Sequence, residues 1–253
     1  MNRRSQERAL LTTVTGEPLQ PIRLYFSVVS KAAVTRTLLG LRCVDEDQHG
    51  RRLVWLYQYE AAALTFGTRA HRDLPTDVHP VVIGELRFPE RNRMVFAVRS
   101  ADRAIEGAKF FKAILGANVS LVRARVVNRW FEASEAVAGP EPLDKLLDAN
   151  VTRVDPKDAE EAFERAMAGT RTLEEKQRAM EAWAAERRRR DVPLVEDFPL
   201  HPEEETPDLR DLTMTLQLRG MRAFEHWRGN THLTLADIIH GLVEQGKLAS
   251  PDG

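Results

Sequence analysis

The chain has 253 residues, 43% of them hydrophobic and 30% charged, a globular composition with enough apolar material for a real core. Lysine plus arginine (37) nearly balances aspartate plus glutamate (38), and a formal charge of -1 argues against a protein whose main task is coating nucleic acid. A single cysteine, Cys43, excludes an intrachain disulfide, and no apolar run approaches the roughly 20 residues that span a bilayer.

In chain order, residues 1–20 are polar and read as a flexible N-terminal arm. Met1–Arg4 has the charge of a leader, but the apolar stretch behind it is too short and polar for one, so a cytoplasmic location with no membrane partner is expected. Ile22–Val29 is a strand by its branched and aromatic content. Ser30 then caps a short helix to Leu39, with Val34 and Leu38 one turn apart; the β-branched Val34-Thr35 leaves a strand as the alternative. Leu41–Val44 and Leu53–Tyr59 flank the hairpin loop Asp45–Gly50. Residues 67–80 form a polar connection. The clearest block follows from Pro80 to Phe131: strand, turn at Pro89–Asn92, strand, a helix capped by Ser100, and a strand over Val119–Val127.

This order implies an α+β domain over residues 21–132, a two-layer mixed sheet of about six strands with both helices on one face. The Ala-, Gly- and Pro-rich stretch at 133–142 reads as a boundary to a helical C-terminal region, 133–253. There Asp155-Pro156, the capping box Thr172–Glu175 and Thr234 each open a helix, and Leu209–Trp227 has helical spacing. Pro193, Pro199, Pro202 and Glu203–Glu205 mark an acidic, proline-containing linker near 192–208.

Chemistry-bearing patterns are sparse. His71, Asp73, Asp77 and His79 place four competent metal ligands within nine residues, but at neither helical nor familiar spacing; a polar loop before a strand is the plainer reading. The acidic triplet Asp45–Asp47 and the separated His226, His232 and His240 form no ligand set, and Arg187–Arg190 suits the negative end of its helix without any ligand. No nucleophile elbow, Cys–His arrangement or phosphate-binding glycine loop occurs, and Cys43 reads as a half-buried structural thiol.

Strand alternation gives one more pattern. Leu121, Arg123, Arg125, Val127 and Arg129 share one face of their strand, and Arg23, Tyr25, Arg87 and Arg99 alternate with apolar neighbours in theirs. Arg93 and Trp55 or Tyr57 are candidates for the same open face. If that face is open, arginine with aromatic rings fits single-stranded nucleic acid; if the C-terminal half covers it, the arginines pair with that half's acidic residues. The sequence therefore supports a cytosolic, non-enzymatic binding or scaffold protein with a protein partner and no cofactor. Its alternatives are a metal-dependent enzyme using a divalent ion in the 71–79 loop, and RNA or single-stranded DNA binding on the arginine face.

Overall fold

The computed structural model describes residues 8–47, 50, 52–137, 143–190, 192–200 and 209–246. Eight strands form one sheet: β1 (Ile22–Val28), β2 (Val44–Glu46), β3 (Leu53–Leu56), β4 (Val82–Glu90), β5 (Arg93–Val98), β6 (Val119–Val127), β7 (Val151–Arg153) and β8 (Val195–Pro199). They lie in the order β2-β3-β4-β5-β1-β6-β8-β7. Every neighbouring pair is antiparallel except β7 with β8.

Two helices connect the strands of the first half. Helix α1 (Lys31–Leu39) starts where the Ser30 hydroxyl accepts from the Ala33 amide, and its buried side chains are Val34 and Leu38, the pair one turn apart. Helix α2 (Ala101–Leu115) is capped in the same way by Ser100, accepting from the Arg103 amide. It joins β5 to β6, which run parallel with β1 inserted between them, a split β-α-β unit. Both helices bury their apolar sides in one core with Leu24, Phe26, Trp55 and Phe96. Phe96 sits in a slot made by two glycines: a Cβ on Gly84 of β4 would approach its ring to 2.5 Å, and one on Gly107 of α2 to 2.4 Å.

The second half is part of this sheet rather than an extension of it. The segment near 192–208 read as a linker contains β8, and Val151–Arg153 supplies β7, so eight strands replace the expected six. A parallel β7–β8 pair needs a crossover, which is the hairpin of α5 (Pro156–Met167) and α6 (Leu173–Arg189). Its termini follow the local signals: Asp155 accepts from the Lys157 amide with proline at the first helical turn, and Thr172 and Glu175 form the capping box. Helix α7 (Arg210–Trp227) covers the core face through Leu212 and Leu216, and α8 (Leu235–Glu244), opened by Thr234, packs on α7. Between β6 and β7 lie the short α3 (Ala133–Val137) and α4 (Leu143–Asp148). Helix α4 packs on the opposite sheet face, so the helices are not confined to one side. The Glu203–Glu205 run lies outside the described residues.

The expected loose arm is folded from residue 8 onward. Leu11 and Ala133 exchange backbone bonds with Phe131 and Ala9, and Thr15, Glu17 and Gln20 are buried. Glu17 pairs with Arg103 of α2 at 2.7 Å with both side chains out of solvent. It also accepts from Ser100, Thr13 and Thr15, while Arg103 reaches the Thr15 hydroxyl at 2.7 Å. Burial alone would raise the Glu17 pKa, but Arg103 and the two threonine hydroxyls outweigh it and hold the carboxyl below its ordinary range. Gly67 seals this site: its φ is +53°, and a Cβ there would meet the Glu17 amide nitrogen at 2.8 Å. Glu17→Ala leaves Arg103 buried without a counter-charge and is expected to cost about 3–5 kcal/mol in urea denaturation. A loss within experimental error would show that the pair does not hold the arm.

Candidate functional site

The densest charged arrangement is on the sheet face opposite α1 and α2, where the predicted arginines converge. Arg87 of β4, Arg23 and Tyr25 of β1, and Arg123 and Arg125 of β6 project there, joined by Asp197 of β8. Asp144 and Asp148 of α4, four residues apart and so on one helix side, descend on them. Asp144 contacts Arg23 at 2.6 Å and Arg87 at 2.8 Å; Asp148 contacts Arg23 at 2.7 Å and Arg125 at 2.6 Å. Asp197, fully buried, contacts Arg125 at 2.7 Å and Arg123 at 3.3 Å. The result is one alternating chain, Arg87–Asp144–Arg23–Asp148–Arg125–Asp197–Arg123, drawn from β4, β1, β6 and β8 together with α4. Tyr25 lies beneath it with the Arg123 guanidinium 4.0 Å from its ring centre.

The electrostatics follow from this alternation. Hydrogen bonds from Arg87 and then Arg23 outweigh the opposing effect of burial on Asp144 and lower its pKa to about 2. At Arg23, burial would lower the pKa, but Asp148 and Asp144 reverse it, so the guanidinium is held charged. Beside the chain, Leu147 of α4 packs with Val127, Phe131 and Val195 in a second apolar cluster that seats the helix. A remaining cavity of about 210 Å³ lies between α4 and the sheet, lined by Arg52, Glu85, Arg99 and Asp144 among others.

Not every predicted member of the face belongs to it. A register shift between Tyr25 and Phe26 inserts an extra residue in β6, so Leu121 pairs with Phe26 and turns to the core face. Arg123, Arg125 and Val127, beyond the bulge, keep the other parity. Trp55 and Tyr57 are buried in the main core. Arg93 pairs with Glu90 in the β4–β5 turn, and Arg129 pairs with Glu135 while covering the Phe131 ring. Arg99 lies exposed at the end of β5, on the rim of the 210 Å³ cavity. The pairing with acidic residues of the C-terminal half is the alternative the sequence offered, but it did not single out Asp144, Asp148 or Asp197. Only the four-residue spacing of Asp144 and Asp148 hinted at them.

The 71–79 segment folds as two 3-10 turns, His71–Asp73 and Thr76–Val78. It brings His71 and His79 together, ring centres 4.8 Å apart, with Tyr57 5.2 Å from His71. Asp73 accepts from the Ala70 amide within its own turn, and Asp77 is exposed in the next. Among the described residues no three or more His, Cys, Asp or Glu side chains group as a metal site. His226 Nε2 lies 2.8 Å from the Leu233 carbonyl oxygen, and His240 lies 3.6 Å from Glu244. Cys43 is fully rather than half buried; burial first, then Glu60, pushes its thiol up to about 12, leaving it a poor nucleophile. No helix among the described residues is long and apolar enough to cross a membrane.

No family model matches this chain, and no curated protein or solved structure is significantly similar to it.

The depressed Asp144 pKa has a pH consequence. A carboxylate whose folded pKa lies below its ordinary 3.8 contributes stability above that value and loses it as pH falls toward about 2. Asp144 is nearly half exposed, so solvent screening makes this contribution modest. Urea midpoints of the wild type should therefore drop over this window more than those of Asp144→Asn. Parallel pH curves for the two proteins would refute the assignment.

Proposed function

We propose that this is a non-enzymatic protein that acts through macromolecular contacts and that its partner is a protein. The observation that carries this is where large apolar side chains meet solvent. Of fourteen exposed among the described residues, seven lie on α5–α8: Phe163, Leu173, Met180, Met214, Met221, Phe224 and Ile239. Met214, Met221 and Phe224 fall on one side of α7 by helical spacing, and methionine with aromatic rings is an adaptable contact composition. Phe163 meets Trp183 across the α5–α6 hairpin at 5.1 Å, so the hairpin is internally packed while its outer apolar groups remain available.

The arginine face supports the same choice over a nucleic-acid platform. Binding phosphates draws on cations whose counter-charge is a mobile ion, whereas Arg23, Arg87, Arg123 and Arg125 already face fixed carboxylates. Tagged protein recovered from its native cells should co-elute with a stoichiometric protein partner in size-exclusion chromatography at physiological salt. Elution at the mass of the chain alone, under every extraction condition, would sink the proposal.

A second reading, a metal-dependent enzyme, draws on one feature, the His71–His79 ring contact. Two imidazoles this close, with Asp73 two residues away, are within the ligand repertoire of zinc or iron. Elemental analysis of protein purified without a histidine tag separates the two readings. The binding-protein reading expects metal far below one equivalent in the wild type, and a stoichiometric ion lost in His71→Ala would favour the enzyme.

A further inference from the structure

A groove of about 1010 Å³ opens at the end of the sheet where β1 runs into α1, beside the β4–β5 turn. Val29, Ala32 and Leu39 supply its apolar wall, and Lys31, Arg36 and Arg91 supply its charge. Val29 is 81% exposed and Leu39 44%, the first among the most exposed large apolar side chains described. Among the described residues no acidic side chain lines the groove.

The cations here differ from those of the arginine chain. Among the described residues no carboxylate pairs with Lys31, Arg36 or Arg91. Lys31 only overlies the Phe88 ring at 5.3 Å, and the nearby Glu90 is held by Arg93 at 2.8 Å. The walls are fixed before any ligand arrives. Val28 donates to the Asn92 carbonyl at 2.8 Å, Val29 donates to that of Asn118 at 3.0 Å, and α1 is anchored in the core by Val34 and Leu38. Preorganised walls reduce the ordering cost of binding. The amino end of α1 adds its partial positive charge on the same side.

We propose that this groove docks an acidic peptide segment of a partner protein, an aliphatic side chain resting on Val29 and Leu39 while flanking carboxylates meet Lys31, Arg36 and Arg91. The inference rests on the proposed protein-binding role and names the chemistry of the partner. Single-stranded nucleic acid has the charge but not the fit: among the described residues no aromatic side chain lines the groove to stack a base, and its apolar wall is aliphatic.

Fluorescence anisotropy of the full chain with three labelled probes tests this: a peptide of alternating glutamate and leucine, its glutamine counterpart, and oligothymidylate. The acidic peptide is expected to bind and to weaken with salt, while the glutamine peptide does not bind. Arg36→Glu combined with Arg91→Glu should weaken binding by about tenfold or more, and so should Val29→Asp. These positions are exposed, so the fold is expected to persist, which circular dichroism checks. No binding of the acidic peptide, equal binding of the glutamine peptide, unchanged affinity in both variants, or preference for oligothymidylate would each overturn the groove assignment. Repeating the co-elution experiment with the double variant separates the two proposals. A partner retained by the variant removes the groove and leaves the binding role intact. A wild type that co-elutes with nothing removes the binding role whatever the peptide does.

Discussion

Asp197 is the hinge on which the sheet's outer face depends. It is a carboxylate with no exposure on a strand of five residues, and such a group is tolerated only with its charge met. Arg125 and Arg123 of the adjacent strand meet it, and the same Arg125 reaches on to Asp148. From that point the alternation of sign propagates through Arg23 and Asp144 to Arg87. Each member that is removed leaves a neighbour short of its partner, which is more costly than any one pair is favourable. The placement of β8, the seat of α4 and the closure of the arginine face are thus one electrostatic arrangement, with the Leu147 cluster supplying its apolar part.

β8 presents the same problem on its other side. Glu196 is also buried, and it is met by Arg219 of α7 in a two-pronged contact at 2.7 and 2.8 Å, with Asn128 adding a donor at 3.1 Å. Consecutive acidic residues on a strand point to opposite faces, so each needs cations from a different layer. α7 and the β6 arginines provide them. On the core side, Glu17 and Arg103 repeat this logic between the N-terminal segment and α2. Three buried carboxylates from segments with the composition of loops or linkers are each matched by arginine, whose planar guanidinium suits such sites.

Local signals were readable because they act over three or four residues. Ser30, Ser100, Asp155, Thr172 and Thr234 all cap helices as their types and neighbours indicate. The arginine stripe was also visible, since alternation along a strand needs only the strand. What failed was whatever depended on a distant partner. Leu121 was placed on the wrong face because the extra residue in β6 appears only when β1 is laid beside it. The 195–199 strand resembled linker because Glu196, Asp197 and Pro199 are poor strand formers in isolation and Pro193 precedes them. The N-terminal segment looked loose because its polar residues find their partners some 80 to 90 positions away in Ser100 and Arg103.

By itself the sequence determined the starts of the five capped helices, strands β1 and β4 to β6 and the existence of an arginine-bearing sheet face, whereas β2 (Val44–Glu46) falls where it read the start of a hairpin loop. Each of these follows from short-range periodicity and capping chemistry. Only the tertiary structure decided that this face is closed, by Asp144 and Asp148 from a six-residue helix and Asp197 from a strand. It alone also left Lys31, Arg36 and Arg91 beside exposed aliphatic side chains with no carboxylate among the described residues that line the groove. The physical reason is the same in both cases. A charged side chain reads identically in sequence whether its counter-charge is a buried carboxylate, a solvent ion or a partner, and the choice is made by which segments the fold brings within a few ångströms.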